Sequence, residues 1–428
     1  MEDLPPQLLL EILSRLRDSE DLARYRVASK TLNSIARDIR SVNLQCSYDR
    51  YAKSRSPLTS SSITPFKEIF IKLISELEIV ESVSMGVEKP LRYGAYDDME
   101  NEEADLYLSD LLKRYLTNAK VCGGLKSISI SDFWVQSCWR RSDVLSLISS
   151  HCLNLSELDV KNAWLSVDGL NPMPKLTNLT LEFIILDDED LNKINESFPS
   201  LQVLNLIGVG GLKEPRIHLM HLKTCQCIVF NAPNSLAIIA PNLVKLTLIC
   251  VKPKPLVIET PLLSDLHFSV ETAGNFKVKG LHDLRRLHLE STDLRNLLVT
   301  FPFGKTVRNL TVVSKEFETY PGQDGLESRL QMKGLKKITA YLTANDFEMT
   351  ISTIFSILEN CTKLSDMALL IHRDVVSNGT NSLISRCNGN GDCGKTKQKM
   401  HGYLIVFSDF EFAACSISVK PPFQVDLR

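Results

Sequence analysis

A chain of 428 residues with 44% hydrophobic and 23% charged side chains has ample material for a large core or for two to three domains. Its net charge of -2 excludes broad electrostatic attraction to nucleic acid or to a membrane surface. The 11 cysteines are odd in number, scattered and nowhere spaced CxxC, which favours reduced thiols in a reducing compartment over a disulfide framework; a nuclear or cytoplasmic protein is expected.

The chain begins MEDLPPQLLLEILSRL. Glu2 and Asp3 stand where an export signal needs basic residues, and Glu11 and Arg15 interrupt the apolar run, so no leader is expected. No run of 18 apolar residues follows, so no membrane span is expected either. Leu8, Leu9, Ile12, Leu13 and Leu16 fall at helical spacing and form a wide stripe. Pro5 and Pro6 suit a helix start, where a missing backbone donor costs nothing. Asp18, Ser19, Glu20 and Asp21 supply capping groups and acidic charge for a second helix carrying Leu22, Tyr25 and Val27. Ser29 is placed to cap a third, with Leu32, Ile35, Ala36 and Ile39 on one face. Three helices this short carry more apolar surface than they can hide among themselves. The surplus needs a cover, either the rest of the chain or another protein.

The stretch LPPQLLLEILSRL and the following DLARYRVASKTLNSIA resemble an F-box, the motif that docks onto a Skp1-type adaptor. The resemblance assigns the docking surface to Leu4 and Pro5, to Ile12, Leu13 and Leu16 of the first helix, to Leu22, and to Val27, Ser29 and Lys30. The family usually has a tryptophan shortly after the S-K pair. Thr31, Leu32 and Asn33 stand there instead, which implies weaker adaptor binding. The alternative is a helical cap on the domain that follows.

From there the pattern L-x-x-L-x-L recurs, from LKSISI at Leu125 through LTNLTL at Leu176 and LVKLTL at Leu243 to LSDMAL at Leu364. Weaker copies start at Ile39 and Val80. Between Leu155 and Val307 the steps are 20 to 25 residues, within the range of leucine-rich repeats. Pro174, Pro199, Pro241 and Pro261 each sit two residues before a first leucine, ending one segment and leading into an extended one. Cys122, Cys152 and Cys361 sit three before it and resemble the cysteine-containing class of these repeats; their expected role is small buried packing. Each unit then gives one parallel strand, with Leu179 and Leu181, or Leu246 and Leu248, pointing inward. Ser142–Cys152, Asp188–Phe198 and Thr350–Cys361 have helical spacing for the return path, with Ser142 as a cap. Repeats of 20–21 residues are too short for a helix, so loop or 3₁₀ turn is expected on their convex side.

These readings predict an α/β fold: a leucine-rich-repeat solenoid, a parallel strand stack with an irregular helical or loop convex side, preceded by a small three-helix F-box. The F-box takes residues 1–45 and the repeats 46–377, with an acidic insertion at about 88–118 around DDMENEEAD. Residues 378–428 form a tail, loop-rich and then strand-like.

On the concave face, adjacent strands bring Lys245, Asp265 and Arg286 into one alternating-charge row, with His267 and His288 stacked beside it. With Glu290 these are the candidate target-binding residues. Acids and bases are mixed, so no phosphate-rich cofactor is expected. GNGDCGKT (Gly389–Thr396) matches a phosphate-binding loop in letters, but Gly402 and the strand-like GYLIVF follow where a long helix is needed, and too few residues remain for the other strands of such a site, so it reads as a loop. His218, His221, Cys225 and Cys227 have the composition of a metal site, yet both cysteines occupy leucine slots and read as core. No metal, cofactor or catalytic residue is expected.

Over roughly residues 1–375 the sequence resembles a plant-type F-box/leucine-rich-repeat protein. The resemblance implies a non-catalytic substrate-recognition subunit of an SCF-type E3 ubiquitin ligase. Its partners would be a Skp1-like adaptor, through it a cullin-RING ligase, and an unidentified target protein. An interaction scaffold without a ligase role, and an NTPase using Gly389–Thr396, are the other readings.

Overall fold

The computed structural model describes residues 4–15, 19–46, 77, 79–87, 123–131, 141–251, 255–271, 276–279, 281–292, 294, 297–298, 306–314, 334–342, 361, 363–372 and 403–408. It divides into two compact units, Met1–Leu212 with Arg216–Leu222, and Lys213–Pro215 with Lys223–Arg428.

The first unit opens with α1 (Pro6–Ser14), α2 (Ser19–Ala28), α3 (Lys30–Ile35) and a 3₁₀ turn at Ala36–Asp38. Next come β1 (Ser41–Cys46), β2 (Ser82–Val87), β3 (Ser127–Ser131), β4 (Arg141–Ser142), α4 (Val144–His151), β5 (Glu157–Leu165), β6 (Asn178–Ile185), α5 (Asp188–Ser197), β7 (Val203–Ile207) and β8 (Arg216–His218). The parallel order is β1-β2-β3-β5-β6-β7, with β4 beside the end of β5. Register is handed from strand to strand by one carbonyl in each repeat. Arg40 O accepts from both Glu81 N and Ser82 N, Glu81 O from Lys126 N and Ser127 N, and Lys126 O from Ser156 N and Glu157 N. Both lone pairs of that oxygen are therefore used, and a slip by one residue would break two bonds per repeat.

Leucine slots alternate inward as the pattern demands. Leu125, Leu155, Leu176 and Leu201 are buried, as are Leu179, Leu181 and Cys152. The weak copies at Ile39 and Val80 are genuine repeats and yield β1 and β2. Ile39 is buried, close behind the 3₁₀ turn, with only Arg40 between it and β1.

The two return helices in this unit sit where their spacing puts them. The cap position of α4 falls on Asp143, without a side-chain cap bond, rather than on the expected Ser142, which stands one residue ahead of it and whose Oγ accepts from Val144 N (3.2 Å). A capping box opens α5: Asp187 Oδ1 accepts from Asp190 N (2.7 Å), and Asp190 Oδ2 from Asp187 N (3.4 Å). The third helical segment, 350–361, lies outside the described residues except for Cys361.

Gly211 has φ +90°, and a Cβ there would stand 2.4 Å from Leu186 O. Gly211→Ala therefore combines a left-handed backbone with a backbone clash, and is expected to destabilise the protein by about 2–4 kcal/mol. Chemical denaturation of the variant checks this; an unchanged midpoint would show that the turn relaxes freely.

The second unit contains β9 (Thr224–Val229), β10 (Leu236–Ile239), β11 (Lys245–Cys250), β12 (Leu256–Glu259), β13 (Asp265–Val270), β14 (Phe276–Lys279), β15 (Arg286–Ser291), β16 (Asn309–Ser314), β17 (Lys337–Leu342), β18 (Asp366–His372) and β19 (Tyr403–Ser408). One parallel sheet runs β9-β11-β13-β15-β16-β17-β18-β19. The carbonyl hand-off continues through Lys223, Val244, Ser264, Arg285, Arg308 and Lys336.

The short repeats correct one expectation. Their return path is a second parallel sheet, β10-β12-β14, rather than loop or 3₁₀ turn. The reason is local: Leu236 and Ile238, then Leu256 and Ile258, are buried at alternate positions, and the intervening residues face outward. A step of 20–21 residues holds two short strands and two turns. On the outer face Lys279 Nζ donates to Glu259 Oε1 at 2.8 Å. In the tail, β19 adds to β18 from Tyr403 opposite Met367. The acidic insertion (88–118) and Gly389–Thr396 lie outside the described residues.

Candidate functional site

The N-terminal helices carry the first candidate surface. Pro5 is extended (φ -55°, ψ 142°), and its carbonyl accepts from Leu8 N and Leu9 N at 2.9 and 3.1 Å, so the proline launches α1. Two rows then run along the helix at i, i+4 spacing. Leu9 and Leu13 form the inner row and are buried. Leu8 and Ile12 form the outer row and are 52 and 42% exposed; Leu4, ahead of the helix, is 38% exposed. In α2, Leu22 is buried, while Tyr25 and Val27 are exposed, Val27 to 90%. Ser29 is extended and its hydroxyl accepts from Leu32 N at 3.5 Å, which caps α3; Lys30 beside it is exposed. Arg26 Nε donates to Asn33 Oδ1 (3.0 Å) and ties α2 to α3.

This arrangement divides the predicted docking set. Leu4, Pro5, Ile12, Val27 and Lys30 present surface, and Ser29 does so while capping a helix. Leu13 and Leu22 do not: at 4 and 3% exposure they are the glue of the bundle. A wide stripe contains two adjacent rows about 100° apart, and the sequence does not say which faces inward. Leu16 lies outside the described residues. Leu8 and Tyr25, absent from the predicted set, belong to the exposed apolar surface. The i-4 relation of Leu8 to Ile12 was the available signal.

The open face of the repeats carries the second candidate surface. In the first unit, Asp159, Lys161 and Glu182 form a half-buried triplet. Lys161 Nζ lies 2.9 Å from Glu182 Oε2 and 3.8 Å from Asp159 Oδ2, and Ser129 Oγ donates to Asp159 Oδ2 at 3.1 Å. Burial is the largest influence on Asp159 and raises its pKa, against the pull of Lys161 and the Ser129 hydroxyl. Burial also opposes the charge on Lys161, but the bond to Glu182 and the charges of both carboxylates outweigh it and raise its pKa.

A carboxyl raised in the folded state contributes stability below its unfolded pKa and loses it as pH climbs through the folded value. Removing Lys161 raises Asp159 further and leaves two carboxylates face to face. Lys161→Met is therefore expected to destabilise the protein more at pH 7 than at pH 4, where Asp159 takes up its proton. Denaturation midpoints at the two pH values check this; an equal deficit at both would place the effect in packing.

In the second unit the predicted cluster assembles in register. Lys245 pairs with Asp265, and Asp265 with Arg286; His267 pairs with His288. Asp265 Oδ2 accepts from Arg286 Nε (3.0 Å) and Nη2 (2.7 Å). The two imidazole centroids are 4.1 Å apart, tilted by 46°. Glu290 Oε2 lies 3.7 Å from His267 Nε2. All three of these side chains are half-buried.

Cys225 and Cys227 are buried in leucine slots, whereas His218 and His221 face solvent. Burial pushes the Cys227 thiol up to about 12, raises Cys225 well above the ordinary range, and raises Cys250 likewise. Thiolate is the reactive form, so these three thiols are expected to resist alkylation in the native protein and to label on unfolding. Mass mapping after an iodoacetamide pulse checks this; native labelling of Cys227 would contradict the burial.

Comparison with known proteins adds two findings. Residues 1–42 match the family described as F-box-like. The F-box/LRR-repeat protein At4g29420 of Arabidopsis thaliana is 47% identical, over 90% of this chain and 95% of the relative. With N-terminal helices launched by Leu4-Pro5 and parallel strands laid down by L-x-x-L-x-L, this chain belongs to the F-box/leucine-rich-repeat family of plants.

Proposed function

We propose that the protein is the substrate-recognition subunit of an SCF-type ubiquitin ligase. The observation that carries this reading is the apolar surface of Leu8 and Ile12 on α1, with Leu4 just ahead of the helix, left exposed although the bundle has its own buried core. An exposed aliphatic row on a small helical bundle suits a helical adaptor of the Skp1 type. The open face of the repeats, with its mixed charges around Lys245, Asp265 and Arg286, suits a protein target rather than a polyanion. Through the adaptor the chain would join a cullin-RING ligase in the nucleus or cytoplasm. The receptor makes and breaks no bonds; holding target and charged enzyme in one complex raises their effective concentration.

Co-expression with a Skp1-like adaptor tests this. The expected result is a 1:1 complex that survives gel filtration and, with cullin and RING subunits added, supports ubiquitin transfer. A chain that stays separate from the adaptor at micromolar concentration is instead a repeat scaffold.

A further inference from the structure

We propose that His267, His288 and Glu290 form a binding site for a divalent transition-metal ion of the zinc type on the open face of the second unit. This goes beyond the receptor reading and does not depend on it.

The parallel register builds the cluster. His267 on β13 stands opposite His288 on β15, and Glu290 follows two residues along β15 on the same face. Opposite Glu290 is Ser269, a small buried residue, so no bulky side chain separates the carboxylate from the His267 ring. One ligand atom from each of the three residues lies within 4.8 Å of the other two. A tetrahedral zinc with bonds of about 2.0–2.1 Å spaces its ligand atoms about 3.3–3.4 Å apart. The 3.7 Å between His267 Nε2 and Glu290 Oε2 is already close to that, and small side-chain rotations close the rest.

The neighbours favour the same use. His267 Nε2 is shielded from solvent and has no hydrogen-bond partner among the described residues, since 3.7 Å to the carboxylate is too long for a hydrogen bond. A shielded nitrogen left without a partner is costly, and a metal ion satisfies it. Arg286, on the same face, directs Nε and Nη2 onto Asp265 at the neighbouring register position. In register, Thr247 flanks His267 and Thr311 flanks His288, both with short side chains. Two imidazole nitrogens and one carboxylate suit Zn²⁺, Co²⁺, Ni²⁺ or Cu²⁺ better than Mg²⁺ or Ca²⁺, which prefer all-oxygen shells. Three protein ligands leave at least one position for water or for an incoming side chain.

The test uses the full, tag-free chain after dialysis against chelator. Cobalt(II) is titrated as a spectroscopic probe, and Zn²⁺ is followed by calorimetry. The expected result is one equivalent of Co²⁺ with the intense visible bands of four- or five-coordination, displaced by Zn²⁺. His267→Ala and His288→Ala should each abolish those bands, and Glu290→Gln should weaken binding at least about tenfold. His282→Ala, at an exposed histidine outside the cluster, should change nothing. As a second readout, Zn²⁺ should raise the Tm of the wild-type chain and leave that of His267→Ala unmoved. Binding that persists in the histidine variants, or no binding at 100 micromolar ion, overturns the proposal (a trial concentration of about 1,000 times a sub-micromolar Kd).

Discussion

Ile12→Asp is expected to weaken adaptor binding about 30-fold or more and to leave the Tm of the free chain unchanged. Ile12 lies in the outer row, 42% exposed, so a carboxylate there meets water until a partner arrives. On docking, the charge is buried against an apolar surface without a counter-charge. Losing a central aliphatic contact at an interface typically costs about 2 kcal/mol, and a stranded charge adds to that. Leu13→Asp, one residue on, has a different expected result. Leu13 is buried between the helices, so the variant should lose both the adaptor and the folded bundle. Calorimetric titration with a Skp1-like adaptor, paired with thermal melts, separates the two. Normal adaptor binding by Ile12→Asp would remove the outer row from the docking surface.

The second large effect is expected in the core of the repeats. Phe268 fills the third slot of LSDLHF, between Leu248 on β11 and Leu289 on β15 in register, and all three are fully buried. Phe268→Ala removes a ring from a stack whose neighbours are fixed by the carbonyl hand-off on both sides. The site cannot collapse easily, so a loss of about 3–5 kcal/mol is expected. In a repeat array each coil depends on its neighbours, so the loss should extend through adjacent repeats. Urea unfolding checks it. A loss below about 1 kcal/mol would mean that neighbouring coils close over the cavity.

Much of this was legible in the sequence because repeats convert spacing into position. Once LVKLTL, LSDLHF and LRRLHL are aligned, Lys245, Asp265 and Arg286 must be neighbours, and they are. The second sheet was not legible. Its strands are four residues long, as in Leu236–Ile239, too short for alternation to stand out from a turn. The docking face was half legible, since spacing gives the rows of α1 but only packing against α3 and the 3₁₀ turn decides which row is hidden. At His267, His288 and Glu290 the juxtaposition could be read, but the approach of Nε2 to the carboxylate depends on side-chain torsions that letters do not carry.

Ile39 is buried just behind the 3₁₀ turn, and two residues later the first strand begins. That leaves no slack between grip and scaffold. In a receptor of this kind a cargo held by the first coils would be carried on a bracket rather than a leash. Its presented lysines would be selected by the angle of that joint, and lengthening the joint with glycine and serine would blur the choice.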